Sequence, residues 1–212
     1  MRKLLDRIAL TMCVGIASVI ALTVRAADIE RPDDIEAVWK AQSIVFDYRS
    51  EGRLYRCDIL EYKIRVILGR LGARDTLALR RSGCRDLAGR VRFEVLMEFP
   101  VTATAANIRE ITSYDGEDEL IARLRGMQLA SPADLERFPA AWQSVSLRTL
   151  DLDAGDCALV QQLRRQIMPM MSVQVTKDIK GVDCSQELTG IAPPRLRVLA
   201  LLPARTSQHF LE

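Results

Sequence analysis

The chain is poor in histidine, the side chain that most often serves as a general base. It contains one histidine in 212 residues, His209, which is the fourth residue from the C-terminus. Because chain ends usually fray, we expect neither a general base nor a metal ligand there. A serine or cysteine triad cannot be assembled without another such base. No nucleotide or metal motif stands out elsewhere, so we predict no cofactor and no metal site.

An excess of charge of one sign is also missing. The sequence has 30 lysines and arginines against 28 aspartates and glutamates. Residues 1–26, which we expect to be removed, hold four of the basic residues and one of the acidic ones, so the remainder is close to neutral. Nucleic-acid binding normally shows as a basic surplus concentrated on one face. We therefore predict no nucleic-acid partner.

The N-terminus has the pattern of a signal peptide. Arg2, Lys3 and Arg7 precede an apolar run over residues 8–24, and Ala26 offers a small residue for cleavage. This pattern predicts that residues 1–26 direct export and are removed. An uncleaved anchor is the alternative, because a run of about seventeen apolar residues is short for a membrane span but not too short. We expect cleavage, no stable membrane span after it, and a periplasmic or secreted location.

Four of the five cysteines form two pairs with the same spacing. Cys57 and Cys84 lie 27 positions apart, as do Cys157 and Cys184, which follow one hundred residues later. In an exported chain this arrangement predicts a disulfide framework, and neither pair has the C-x-x-C spacing of redox sites. Four cysteines allow three pairings. We favour Cys57 with Cys84 and Cys157 with Cys184, because each bridge then stays within its own repeat.

The residues around the first cysteine pair predict the order strand, helix, strand, strand. Apolar residues recur at intervals of three and four from Cys57 until Gly72 ends the helix. Residues 42–46 before this helix and residues 76–79 after it are rich in strand formers. Strict alternation over residues 91–99 is the clearest strand signal in the chain. Because Cys57 shares the apolar helix face, we expect its disulfide to be buried.

The same order recurs in the second half of the chain. Residues 143–147 echo residues 42–46, and a second apolar helix face begins at Cys157. Strands are then predicted at residues 173–175 and 196–202. The duplication therefore covers both halves of the chain.

We predict an α+β fold of two tandem strand-helix-strand-strand repeats, each closed by its own disulfide. The first repeat spans residues 27–100, the second spans residues 141–212, and a helical connector covers residues 101–140. Within the connector, Ser131 and Pro132 predict the start of a helix, as its cap and its first residue. One continuous sheet and two small domains both fit this pattern.

Short motifs accompany the cysteines on both sides of the connector. They are Tyr55-Arg56-Cys57, Leu71-Gly72-Ala73-Arg74-Asp75, Gly83-Cys84 and Gly155-Asp156-Cys157. In these motifs the chain resembles a group of uncharacterised exported proteobacterial proteins, over most of its length after the signal peptide. The resemblance implies export and internal disulfides and conveys no activity. Modules of this order are also similar to small interaction domains of cell-envelope machines, an analogy of fold alone.

The densest basic stretch is the candidate binding surface of the sequence. It consists of Arg80, Arg81, Arg85, Arg90 and Arg92. These side chains could meet an anionic surface component or an acidic protein face, whereas a solvated rim around the disulfide is the structural alternative.

Two further clusters have structural interpretations. The aspartates Asp151, Asp153 and Asp156 do not have the spacing of a calcium loop, and we interpret them as helix caps, with Asp153 as the cap residue. The methionines Met168, Met170 and Met171 could be soft ligands for copper, but no histidine or reduced cysteine accompanies them. We interpret them as core residues at the end of a helix.

These observations favour a non-enzymatic envelope protein that binds another protein or a surface component. The alternative is an enzyme that uses carboxylates or arginines in a groove between the repeats, since paired acids act through a spatial separation that one sequence does not reveal. A thiol oxidoreductase is a third hypothesis, and it requires an exposed and reducible cysteine pair.

Overall fold

The computed structural model describes residues 34–51, 53–147, 150, 152–175 and 196–204. The predicted signal peptide, Asp151, Cys184 and His209 lie outside the described residues.

Strands and helices alternate along the described chain. The first half contains β1 (Ile35–Arg49), β2 (Tyr55–Arg56), α1 (Cys57–Arg70), β3 (Ala78–Ser82), β4 (Leu87–Ala88) and β5 (Arg90–Thr102). Helices α2 (Ala105–Ile111) and α3 (Gly116–Arg125) follow. The second half contains β6 (Arg137–Ser146), α4 (Cys157–Gln166), β7 (Val173–Val175) and β8 (Arg197–Pro203). Short 3-10 turns at Ala154–Asp156 and Met168–Met170 flank α4.

The fold is α+β, as predicted, and its main element is one antiparallel sheet. The six strands lie in the order β3-β5-β1-β6-β8-β7, and every described pair in this sheet is antiparallel. Strands β1 and β6 meet at the centre, so both halves of the chain belong to one continuous sheet. The two-residue strands β2 and β4 form a separate small ladder, which the sequence pattern does not predict.

The core lies on one face of this sheet, under helices α1 and α4. The predicted alternation in β5 is confirmed, since its odd-numbered residues from Val91 to Phe99 are all buried. The predicted apolar stripes of the two helices are confirmed as well. Leu60, Ile64 and Ile67 of α1 and the equivalent face of α4 belong to the same buried cluster as those strand residues.

Helix α1 has the predicted limits. It begins at Cys57 and ends at Arg70, and the chain reverses at Gly72, whose φ of 103° favours glycine. A Cβ atom at Gly72 would also lie 3.0 Å from Cδ2 of Leu202 in β8. Glycine therefore lets the end of α1 approach the second half of the sheet.

The disulfide between Cys57 and Cys84 is present, with Cα atoms 6.1 Å apart. It joins the first residue of α1 to the loop that follows β3, as predicted. Cys57 is buried, with 4% of its surface exposed. Cys157, at the start of α4, is also disulfide-bonded. Because Cys184 lies outside the described residues, its predicted pairing with Cys157 stays a prediction.

Two predictions about local structure need correction. The first strand is longer than residues 42–46, because β1 runs from Ile35 to Arg49. The helix predicted to begin at Ser131 is wrong, since residues 132–134 form a single turn. The Asp134 carboxylate accepts hydrogen bonds from both the backbone N–H and the hydroxyl of Ser131, which closes that turn on itself. The connector instead holds α2 and α3.

In the described part of the chain, no helix combines the length and apolar character that a membrane crossing requires.

Candidate functional site

Strand β1 is paired along its whole length on one side and only briefly on the other. Its partner β5 follows it from Ala37 to Arg49. On the opposite side, β6 pairs with only four residues of β1, from Ile35 to Val38. Beyond Val38, the side of β1 that faces away from β5 has no strand beside it among the described residues.

Two glutamines of α4 take the place of a strand at the far end of β1. Gln162 accepts a hydrogen bond from the N–H of Arg49 at 2.8 Å and donates one to its carbonyl at 2.8 Å. Gln166 does the same at Asp47, with distances of 2.9 and 3.1 Å. Each side-chain amide supplies one donor and one acceptor, as a peptide unit of a neighbouring strand would. The last two edge positions of β1 are therefore closed.

Between β6 and these glutamines, three residues keep an open backbone edge. Along an antiparallel strand, the backbone groups of alternate residues point to opposite neighbours. Asp47 and Arg49 point away from β5, so Ala41, Ser43 and Val45 do the same. No backbone partner for them on that side occurs in the described ranges. We call this stretch, Ala41–Val45, the open window.

The side chains of the open window carry no charge and reach solvent. Ala41 and Ser43 are exposed, and 57% of the surface of Val45 is exposed. Beside them lies a depression of about 380 Å³, bounded on the β5 side by Leu96 and Glu98. Open, uncharged strand edges are templates for pairing with another chain.

Gln42 adds a second unsatisfied group at the open window. Its side chain points to the core face, and its buried Oε1 atom has no hydrogen-bond donor in the described part of the structure. A buried acceptor of this kind costs about 1–3 kcal/mol of folding free energy. In the described structure, this stretch of β1 therefore has hydrogen-bonding groups without partners both along its backbone edge and on its core face.

The two outer edges of the sheet are protected in ordinary ways. Edge strand β3 carries the exposed Arg80 and Arg81, and charged side chains hinder edge-to-edge pairing. The other edge strand, β7, is three residues long. The open window lacks both protections. Residues 141–146 of β6 share its lack of a neighbouring strand, on the side that faces away from β8, among the described residues.

The predicted basic surface divides into paired and unpaired arginines. Arg80 lies 3.6 Å from Glu94, Arg81 lies 3.3 Å from Glu61, and Arg92 lies 2.9 Å from Asp47. The remaining two, Arg85 and Arg90, have no carboxylate within ion-pair distance among the described residues. Arg85 lines a depression of about 480 Å³ beside the disulfide, which Asp58 and Asp86 also line. Acids accompany the arginines here, so an anionic partner at this surface stays a prediction.

A buried ionic cluster joins the two halves of the chain, and the interpretation of Asp156 as a mere helix cap is wrong. Asp156 is fully buried, directly before α4, and its carboxylate lies 2.6 Å from Nζ of Lys63 in α1. The Tyr55 hydroxyl donates to the same carboxylate, and the N–H of Asp153 donates to it at 2.6 Å. The residue directly before α4 is Asp156, not the predicted cap Asp153, and its side chain makes no capping hydrogen bond.

Arg53 and Asp153 make further polar contacts next to this cluster. The guanidinium of Arg53 lies 2.8 Å from the Asp153 carboxylate and over the ring of Tyr55. The hydrogen bond from Arg53 holds the pKa of Asp153 below its usual range. Burial raises the pKa of Tyr48 to about 12 and also raises the pKa of Tyr55, where the bond to Asp156 adds to the effect. The shifts favour the carboxylate form of Asp153 and the neutral hydroxyl of Tyr55, the forms that make these contacts.

The buried Asp156 carboxylate is fully engaged within the protein. Both oxygens of Asp156 accept hydrogen bonds from within the protein. Within the described residues, no group of three or more histidine, cysteine, aspartate or glutamate side chains could hold a metal ion. Met168 and Met171 are buried in the core, as predicted, whereas 49% of the surface of Met170 is exposed.

Comparison of the chain with protein-family models, with curated proteins and with solved structures finds no match. The proposals below therefore depend on the geometry of the chain itself.

The alternation along β1 predicts a specific pattern of amide exchange. In the free protein, the amides of Ala41, Ser43 and Val45 should exchange at least about tenfold faster than those of Gln42 and Ile44, which bond to β5. Residue-resolved hydrogen exchange by NMR measures this difference.

The amide of Arg49 provides the internal control for this experiment. It faces the same edge but is held by Gln162, so it should exchange slowly in the wild type and rapidly in Gln162→Ala. Equal exchange of odd and even residues from 41 to 45 would contradict an open edge.

Proposed function

We propose that this chain is an exported, non-enzymatic protein of the cell envelope that binds another protein through the open window. The observation that carries this function is the uncharged, unpaired backbone edge at Ala41, Ser43 and Val45, inside a sheet whose outer edges are protected. Addition of a strand to such an edge is a recurring mode of protein recognition. Its affinity comes from main-chain hydrogen bonds, and its specificity comes from alternate side chains.

The geometry gives less support to the alternative, an enzyme with carboxylates or arginines in a groove between the halves. Asp153 and Asp156 do lie where the two halves meet. Their partners are Arg53, Lys63 and Tyr55, and Asp156 is fully buried. Ion pairs of this kind stabilise a structure, and the fully buried Asp156 is not accessible to a reactant.

We also propose that the chain is a tandem duplication with a disulfide in each repeat. The strand order supports this, because it runs β3-β5-β1 from one edge of the sheet and β7-β8-β6 from the other. Along the chain, α1 lies between β1 and β3, and α4 lies between the equivalent strands β6 and β7. Each of the two helices begins at a cysteine. The second bridge would join Cys157 to Cys184. Two bridges fit the oxidising location, periplasmic or secreted, that the signal peptide predicts.

Site-specific photo-crosslinking tests the binding function. A benzophenone side chain is placed in the full chain at Ser43, or at the exposed control positions Tyr62 in α1 and Leu124 in α3, and irradiated in intact source cells. We expect one protein adduct from position 43 and none from the controls. The adduct protein, once purified, should bind the purified chain saturably in calorimetry.

The absence of saturable binding by any crosslinked protein would overturn the proposed function. Adducts of equal yield at all three positions would also count against it, because they indicate random encounters.

A further inference from the structure

We infer that the open window binds a short extended segment, about six residues long, of a different polypeptide, and that β1 of a second copy of this chain does not fit there. This inference depends on the proposed protein-binding function and specifies its partner.

The length of the segment follows from the two obstacles at the ends of the window. At one end, Arg137 of β6 already pairs with Val38. At the other end, Gln166 already occupies the backbone of Asp47. The stretch of β1 between these obstacles, residues 39–46, measures about 26 Å at ~3.3 Å per residue. A segment of about six residues, about 20 Å long, fits within it and must leave the sheet at both ends.

A second copy of the chain does not fit, because its β1 is too long. In a symmetric antiparallel pairing centred on Ser43, Ala41 would face Val45 of the second copy. The register then brings Tyr48 of that copy opposite Val38, where Arg137 already lies. β1 continues to Arg49 without interruption, so the two chains would collide.

Sliding the second copy outward meets the other obstacle. If Ser43 faces Val45 of the second copy, Ala41 faces its Asp47. The edge of Asp47 is already bonded to Gln166, in both copies alike. In the first register the two chains collide at Val38, and in the second the Gln166 side chain of one copy lies where Ala41 of the other would pair. The occupant is therefore a segment without attached structure at its ends.

The side chains around the window indicate the composition of the segment. Directly opposite residues on one face of a sheet interact, and β-branched pairs are favourable. The exposed faces of Ala41 and Val45 thus favour small or β-branched apolar residues at alternate positions of the segment. The depression beside Leu96 can accept one larger side chain.

A phage library displaying random seven-residue peptides tests the inference even while the natural partner is unidentified. The full chain is the bait. We expect selected peptides to alternate small or β-branched residues with variable ones. Ser43→Pro should weaken the binding of a selected synthetic peptide at least about tenfold, because it removes a window N–H but none that bonds to β5. Ser43→Ala, which keeps that N–H, should bind like the wild type.

N-methylation of the peptide provides a second measurement that leaves the protein unchanged. Methyl groups on the amides that face the window should abolish binding, whereas methyl groups on the intervening amides should leave it unchanged. Bound peptide should also slow the exchange of the Ala41, Ser43 and Val45 amides.

Three results would overturn the inference. The first is unchanged affinity in Ser43→Pro or in both N-methylated series. The second is slow exchange of the window amides in the free full chain, which would show that a segment of this same chain pairs with the open window. The third is self-association that Ser43→Pro prevents. If a purified envelope partner bound Ser43→Pro as tightly as the wild type, the chain would still be a protein-binding protein. The partner would not, however, bind by adding a strand to the open window.

Discussion

Replacing Lys63 with methionine should lower the free energy of unfolding by about 3–5 kcal/mol. The change removes the cation that lies 2.6 Å from the Asp156 carboxylate, and Asp156 has no exposed surface. A buried carboxylate that loses its cation keeps the cost of its own desolvation without the compensating attraction. Because small proteins are stable by about 5–15 kcal/mol in total, Lys63→Met should lie close to the limit of folding.

Urea denaturation of Lys63→Met and of a matched control measures this effect. Lys40→Met is the control, because Lys40 also forms an ion pair of 2.6 Å, with Glu110, in a far more exposed setting. An exposed pair contributes about 0–1 kcal/mol. Equal losses in the two variants would show that the Asp156 pair behaves as a surface pair.

A double-mutant cycle separates the pair from the other contacts of Asp156. In Lys63→Met/Asp156→Asn, the asparagine can still accept from Tyr55 and from the N–H of Asp153, and no charge remains buried. The double variant should therefore be more stable than Lys63→Met alone. Additive losses would mean that the two residues stabilise the protein through separate contacts.

The sequence pattern could have identified Lys63 as a buried residue. Lys63 follows Leu60 by three positions and precedes Ile67 by four, so it lies within the apolar stripe of α1. Its charge by itself would favour a solvent-exposed position, whereas only 8% of its surface is exposed. A lysine inside an apolar stripe indicates a buried acid elsewhere. The sequence alone does not indicate that this acid is Asp156, because the packing of α4 beside α1 determines the contact.

The helices and strands were largely predictable, since their apolar periods are regular. The limits of α1, the alternation in β5 and the bridge from Cys57 to Cys84 follow from local spacing. The open window was not predictable in the same way. It arises from the register between β1 and β6, and a long strand that continues beyond its partner has the same alternation as a fully paired one. Gln162 and Gln166 gave only a weak signal, as polar residues beside an apolar stripe.

Removing the disulfide with Cys57→Ala/Cys84→Ala should cost about 3.5 kcal/mol. A bridge that closes a loop of about 28 residues restricts the unfolded chain by roughly this amount in the chain-entropy account. The native contacts should change little, because the bridge joins two segments that also meet through the backbone bond from Cys57 N–H to the Asp86 carbonyl. Circular dichroism should therefore show an unchanged fold at low temperature.

The slope of the urea transition distinguishes this entropic effect from a loss of packing. Without the bridge the unfolded chain expands and exposes more surface, so the dependence of unfolding free energy on urea should become steeper. A loss of packing at the buried Cys57 would lower stability and leave the slope unchanged. Cys57 is only 4% exposed, although Cys84 is half-buried beside a depression, so mild reductant should reduce the native wild type only slowly. Rapid reduction of the native protein, together with a stability loss below about 1 kcal/mol, would contradict a structural bridge and favour the thiol oxidoreductase hypothesis.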